Sequence, residues 1–281
     1  VVTAFDWYAA TIRDDPATVV GTLCTALDAS PVQMGRGMHG YEQSLELRGR
    51  DGVVARVLAG GVNPWPHAWA SGDDTDAFVE SVRGAWPDWH TVSRVDAADD
   101  FGGAGCWDRL LSECVSEAET KNLRIDQAGD WLRDGEHGRT LYIGSKSSPV
   151  RARLYEKGKQ LRGDGVKDAP IDWVRLELQV RPENQAKWTL ATASPSEVWG
   201  SARWSRTLST RVLGVDVDKV DGRLWHEPDD VRALRYLVRQ YGPLLDRMRA
   251  VKGSWQLVGE SLGRLLDPTF AIVAPDDAET C

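Results

Sequence analysis

Apolar and polar positions along the chain fall into recognisable periods. Thr3 to Ile12 (TAFDWYAATI) is rich in aromatic and β-forming residues and predicts a strand; beyond Asp14-Asp15-Pro16 a helical pattern runs through Ala29. Gly35, Gly37 and Gly40 predict a flexible connection into two strands, 41–48 and 53–60, joined as a hairpin by Gly49-Arg50-Asp51-Gly52. After Pro64 and Pro66 come a short segment His67 to Ala70, a helix over Asp73 to Ala85 and a strand over 91–98. Trp107 to Asn122 is helical in spacing, and 140–145, 149–157 and 172–181 predict strands. Ser194 as N-cap, Pro195 at the first helical position and Glu197 completing a capping box start a further helix. Helical periodicity returns over Asp229 to Ala250 and Ser254 to Leu266. The pattern predicts an α+β unit over 1–190 and a mainly helical region over 191–281. No internal repeat is visible, although two similar strand-helix-strand halves within 1–181 would leave little trace in sequence.

Two of these strands concentrate the reactive side chains. Strand alternation sends Arg151, Arg153, Tyr155 and Lys157 to one face and Ala152 and Leu154 to the other. In 173–180, Trp173, Arg175, Glu177 and Gln179 share one face, opposite an apolar stripe of Val174, Leu176, Leu178 and Val180 that fixes the register. Antiparallel pairing through 158–171 would make the two polar faces contiguous.

With 281 residues and 42% hydrophobic content the chain can bury a sizeable core. No basic leader with an apolar h-region and no long apolar run is present, so the expectation is a cytoplasmic protein without a membrane partner. Cys24, Cys106, Cys114 and Cys281 form no CxxC pair, which argues against a disulfide framework or structural zinc. The formal net charge of −8 opposes nucleic-acid binding only as a sum, because Lys146, Arg151, Arg153, Lys157, Lys159 and Arg162 lie close together while acids gather in 73–100 and after Asp267. Further basic positions lie at Arg203, Arg206 and Arg211 and from Arg232 to Lys252, which fits a positive surface for a polyanion or ordinary solvated helix faces.

A phenol, an ammonium, a guanidinium and a carboxylate brought together suit phosphoryl transfer. A phenol with a pKa of about 10 needs nearby positive charge to act as a nucleophile, which Lys157 and a metal would supply to Tyr155. Arg175 could hold a phosphate oxygen, and a hard divalent ion (Mg or Mn) on Glu177 with Asp96, Asp99, Asp100 or His67 would polarise the phosphate. Each residue alone has a plainer reading: an amphipathic surface tyrosine, a Glu177 ion pair with Arg175 or Lys157, an acidic turn, a packed histidine.

The succession FDWYAAT, GYEQSLEL, PHAWASG, RVDAADD, TLYIGS, RLYEKGKQ and WVRLELQ over 3–181 resembles the replication initiation factor family, the rolling-circle initiators and related relaxases of plasmids, phages and integrative elements. The resemblance implies an antiparallel palm-like sheet related to HUH endonucleases, flanked by helices. It also implies that Tyr155 attacks the DNA backbone, leaving a 5′-phosphotyrosyl linkage and a free 3′-hydroxyl. Asp96 and Glu177 become the main metal ligands, His67 the third, and Asp99 or Asp100 substitutes; the HUH tripeptide itself is absent, and Asp73-Asp74 after His67 departs from the family pattern. Arg151, Arg153, Lys159, Arg203 and Arg206 are the expected DNA contacts. The helices after 190, with Trp204 and Trp225, are left to read duplex DNA, bind a host helicase or form a homodimer. The leading expectation is a strand-specific DNA nicking and joining enzyme; a DNA-binding regulator on the same fold, and phosphodiester hydrolysis by water, are the alternatives.

Overall fold

The computed structural model describes residues 3–132, 138–220 and 229–266. Contacts divide the chain into two units, 1–225 and 226–281. Among the described residues no helix is long and apolar enough to cross a membrane.

The first unit is built on ten antiparallel strands: β1 (Ala4–Ile12), β2 (Ser30–Arg36), β3 (Gln43–Arg48), β4 (Val53–Ala59), β5 (His67–Ser71), β6 (His90–Phe101), β7 (Ile125–Gly129), β8 (Arg139–Ile143), β9 (Val150–Tyr155) and β10 (Val174–Val180). Their spatial order is β2-β3-β4-β5-β1-β6-β10-β9-β8-β7. The helices are α1 (Pro16–Ala26), α2 (Thr75–Ala85), α3 (Cys106–Thr120), α4 (Lys157–Gly163), α5 (Ala186–Thr192) and α6 (Arg203–Leu213), with a 3-10 segment at Ser196–Ser201. The predicted mixture of helix and antiparallel sheet is what forms.

The order conceals a duplication. β1-α1-β2-β3-β4-β5-α2 and β6-α3-β7-β8-β9-β10-α5 run through the same succession, and each half lays out its strands with the first at the seam. The halves meet where β1 and β6 pair antiparallel, Tyr8 opposite Val95 and Trp7 opposite Asp96. Only the second half inserts a helix, α4, before its last strand.

One face of the sheet carries the core and the other is open. Tyr8, Ile12, Val57, Ala68, Val95, Leu141, Leu154, Leu176 and Leu178 are buried in a single cluster with Phe78, Val82, Leu110 and Leu190 from α2, α3 and α5. Strand alternation therefore sends the intervening side chains to the uncovered face. The boundary expected at 190 falls inside this unit, because α5 and 196–201 pack on β6 and α6 packs on α3. Ser194 and Glu197 do form the expected capping box: Glu197 accepts from the Ser194 backbone N–H at 2.7 Å, although the segment it caps is 3-10.

Several boundaries differ from those predicted. The first helix stops at Ala26 rather than Ala29, and an edge strand not foreseen, β2 over Ser30–Arg36, takes in Gly35 of the expected flexible connection. β7 was not foreseen; its exposed Gln127-Ala128-Gly129 lacks an apolar stripe. The strand expected over 149–157 ends at Tyr155, so Lys157 opens α4 instead of extending the strand.

The second unit contains α7 (Asp229–Lys252), with Pro243 inside it, and α8 (Trp255–Leu266). Gly253, at φ +88°, turns the chain between them, and Ser254 Oγ accepts from Leu257 N–H at the start of α8. Trp225 and Cys281 lie outside the described residues; Cys24, Cys106 and Cys114 are free thiols.

Candidate active site on the open sheet face

Tyr155 closes β9 on the open face. Its register partners are Arg175 on β10 and Thr140 on β8. The Arg153 guanidinium lies over its ring at 4.1 Å from the centroid, and Lys157 Nζ lies 5.7 Å from the same centroid, so the helical start of α4 still delivers the ammonium. Only 4% of Tyr155 is exposed. Burial pushes its phenol up to about 12; Arg153 and Arg175 pull it down, while Glu177 and Asp6 push it up.

Carboxylates from three adjacent strands share this face, Glu177 and Asp6 close enough to act on the phenol and Asp96 four residues along β6 from Asp100, the residue level with Tyr155. Glu177 on β10 accepts from Arg153 Nη2 at 2.7 Å. Asp96 on β6 is held by Arg94 through both carboxylate oxygens and by Gln179 Nε2 at 3.4 Å. Burial, opposed by Arg153 and reinforced by the charges of Asp96 and Asp6, raises Glu177 to about 7. Burial likewise raises Asp96, against the pull of Arg94.

Asp6 is a member of this group that sequence reading missed. It sits in the β-bulge where the β1–β6 register shifts between Phe5 and Trp7, and it accepts from Arg175 Nη1 at 2.5 Å. A bulge re-aims one side chain, which is how a strand delivers an extra functional group beside a site. The only trace of it in sequence is an acid amid the aromatics of FDWY. Arg175 also donates from Nε and Nη2 to the two oxygens of Asp100, both at 2.7 Å, so one guanidinium ties β1, β6 and β10 together.

Two of the expected metal ligands lie elsewhere. Asp99 faces the core side of β6, where it accepts from Thr3 Oγ1 at 2.7 Å and from Trp199 Nε1 at 3.2 Å. The strand expected to end at 98 continues to Phe101, and alternation then puts Asp96 and Asp100 on one face and Asp99 on the other. His67 is on the open face but at the far end of the strands, paired with Thr11, which is itself paired with Thr91. It packs between Tyr41 and Trp69, and burial lowers its pKa to about 4.

Among the described residues, no three His, Cys, Asp or Glu side chains form a ready-made cation cluster. Asp6, Asp96 and Glu177 nevertheless offer only carboxylate oxygens, the donor type a hard divalent ion takes, and their mutual repulsion is part of what raises Glu177. Guanidiniums supply the compensating charge, Arg153 to Glu177 and Arg94 to Asp96.

The expected DNA contacts fall in three places. Arg151 and Arg153 are on the open face, Arg151 over the Tyr142 ring at 4.0 Å; their Nε groups are buried donors without a hydrogen-bond partner among the described residues. Lys159 lies in α4, 3.2 Å from Glu156 Oε1. Arg203 and Arg206 instead line a cavity of about 520 Å³ at the start of α6, with Ser201, Thr207 and Lys219.

Residues 90–193 match the replication initiation factor family, a span that runs from β6 through α5. No curated protein sequence is significantly similar to the chain. Among solved structures, the chain is similar to a rolling-circle replication initiator protein from Geobacillus stearothermophilus, with 17% identity, 77% of this chain and 98% of that chain covered, and a TM-score of 0.49.

Proposed function

We propose that the protein initiates replication or transfer of a mobile element by nicking one DNA strand, with Tyr155 as the nucleophile. The observation that carries this reading is the placement of Tyr155 on the arginine-lined sheet face opposite the core, paired with Arg175 and close to the carboxylates of Glu177 and Asp6. The family match spans the same strands.

In this chemistry the Tyr155 phenolic oxygen bonds to phosphorus and the P–O3′ bond breaks. The phenolic proton is lost to solvent and the departing 3′ oxygen takes one up, leaving a 5′-phosphotyrosyl bond and a 3′-hydroxyl. Arg153 above the ring and Lys157 beside it favour the phenolate that burial disfavours. Arg175, Arg153 and Arg151 bind phosphate oxygens as DNA exchanges with the carboxylates that now hold them. Asp96 and Glu177, joined by Asp6, would hold a divalent cation, which when bound supplies Lewis-acid polarisation of the scissile phosphate. Asp100 orients Arg175. The cleft at Arg203 and Arg206 offers a separate contact for the DNA backbone.

The test is incubation of the full chain with supercoiled origin-containing DNA and Mg²⁺ or Mn²⁺, followed by denaturing electrophoresis. A protein–DNA adduct that vanishes in Tyr155→Phe is expected. Nicking undiminished in Tyr155→Phe overturns the nucleophile and leaves hydrolysis by water; origin binding without nicking makes the chain a DNA-binding regulator on the same fold.

A further inference from the structure

The duplication of the sheet gives the Tyr155 site a counterpart. Tyr155 and Arg175 are the register pair next to the connection between β9 and β10; the pair next to the connection between β4 and β5 is Leu58 and His67. Where the second half places a hydroxyl among charges, the first places an aliphatic side chain beside an aromatic cluster. This counterpart lines a cavity of about 420 Å³ on the open face, with Leu58, His67, Trp69, Trp7 and Arg94 in its wall.

The cavity has the proportions of a stacking slot. Ala9 on β1 is the register partner of both Trp69 on β5 and Arg94 on β6, so a methyl group forms the floor between an indole and a guanidinium. Two strand spacings, about 9.5 Å, separate the backbones on either side. A planar ring in van der Waals contact with both walls needs about 7 Å. Neighbouring rings hold the walls in place: Trp69 tilts against His67 at 6.0 Å between centroids, His67 stacks on Tyr41 at 6.4 Å, and Arg94 lies over Trp7 at 4.3 Å. Burial keeps the His67 imidazole neutral at physiological pH, so the aromatic wall carries no charge of its own. Arg181 also lines the cavity and supplies positive charge for a backbone phosphate, the charge of Arg94 being already engaged by Asp96.

We infer that this cavity is a nucleobase pocket that holds one unstacked base of single-stranded DNA by stacking on Trp69 and Arg94, at a fixed distance from Tyr155. The inference rests on the proposal that DNA is the substrate of the open face. The counterpart site has kept its place in the fold while exchanging reaction chemistry for recognition. A base presents a π-face whatever its identity, so the pocket anchors the strand without reading sequence.

The experiment measures binding of the full chain to a fluorescein-labelled oligomer of 20 thymidines, and to the same deoxyribose-phosphate backbone made abasic, by fluorescence anisotropy. Trp69→Ala is expected to weaken binding to the thymidine oligomer by about 5- to 150-fold, the range for loss of one stacking partner, and to leave abasic binding and the salt dependence unchanged. Trp69→Phe, which keeps a ring, restores most of the affinity and controls for folding. Equal binding of both oligomers by Trp69→Ala and the parent, or an equal loss for both, overturns the pocket. The Tyr155 adduct is scored separately. Adduct formation with no base-dependent loss defeats only the pocket, whereas base-dependent loss in a chain that forms no adduct defeats only the nicking reaction.

Discussion

Tyr155 and Arg175 face each other across β9 and β10, and the same arginine reaches Asp6 on β1 and Asp100 on β6. The neighbour of Tyr155 is thus tied to every strand between Tyr155 and the seam. Arg175→Lys keeps the charge but loses the planar fork, so it cannot hold both carboxylates. We expect adduct formation to fall by about 100-fold or more, the scale for loss of a positioned transition-state donor. Single-turnover nicking kinetics check this; a loss under threefold would remove Arg175 from the reaction.

Gly158 fixes the junction that carries Lys157. Its N–H donates to the Trp173 carbonyl at 3.0 Å, and a Cβ there would stand 1.7 Å from the Pro170 carbonyl oxygen. Gly158→Ala must push α4 away from the β10 entry, at a cost of about 1–3 kcal/mol. Urea denaturation and the adduct assay should show a drop in activity larger than the loss of folded protein, because Lys157 moves with the helix. Unchanged stability and activity would contradict the close approach.

Asp99 and Asp96, three residues apart on β6, face opposite sides of the sheet. Asp99→Ala strands the buried Trp199 indole N–H and should cost about 1–3 kcal/mol while sparing the metal dependence of nicking. Asp96→Ala should raise the Mn²⁺ concentration needed for half-maximal nicking by at least about tenfold. Metal titrations of both variants decide the matter; the reverse pattern would move the ligand assignment to the core face.

Acid should weaken the fold partly through His67. Its folded pKa is about 4 and the unfolded value about 6.5, so between these the unfolded chain binds a proton that the folded chain refuses. Its contribution is complete above pH 6.5 and declines as pH falls toward 4, with a slope of up to about 1 kcal/mol per pH unit. His90 is lowered in the same direction by burial, so the informative quantity is the difference between the parent and His67→Gln. Urea midpoints at pH 7.5 and 5 should lie closer together in the variant; equal gaps would mean that the imidazole titrates normally.

Much of this site was legible before the fold. The alternation in VRARLY and VRLELQV placed Arg153, Tyr155, Arg175 and Glu177 on one surface because an apolar stripe admits only one register. Asp6 was hidden because a bulge breaks the very alternation by which strand faces are read. Asp99 was misplaced because the end of β6 has no sequence stop signal: Ala97-Ala98-Asp99-Asp100 has weak strand propensity, and pairing with β10 overrides it. His67 was grouped with the acids on its imidazole and on motif order, and only the strand registers set it at the opposite end of the sheet. The duplication is a property of pairing order, which no local pattern encodes.

The seam between β1 and β6 also acts as a yardstick. Because both halves share one continuous hydrogen-bonded lattice, the interval from the Trp69 slot to Tyr155 is set by residue count along rigid ribbons. Loop insertions can lengthen the chain without altering that interval. If the proposed nicking at Tyr155 holds, changing how far from its anchor a strand is cut would require re-threading the middle of the molecule, so cleavage position is expected to be among the least evolvable traits of the protein.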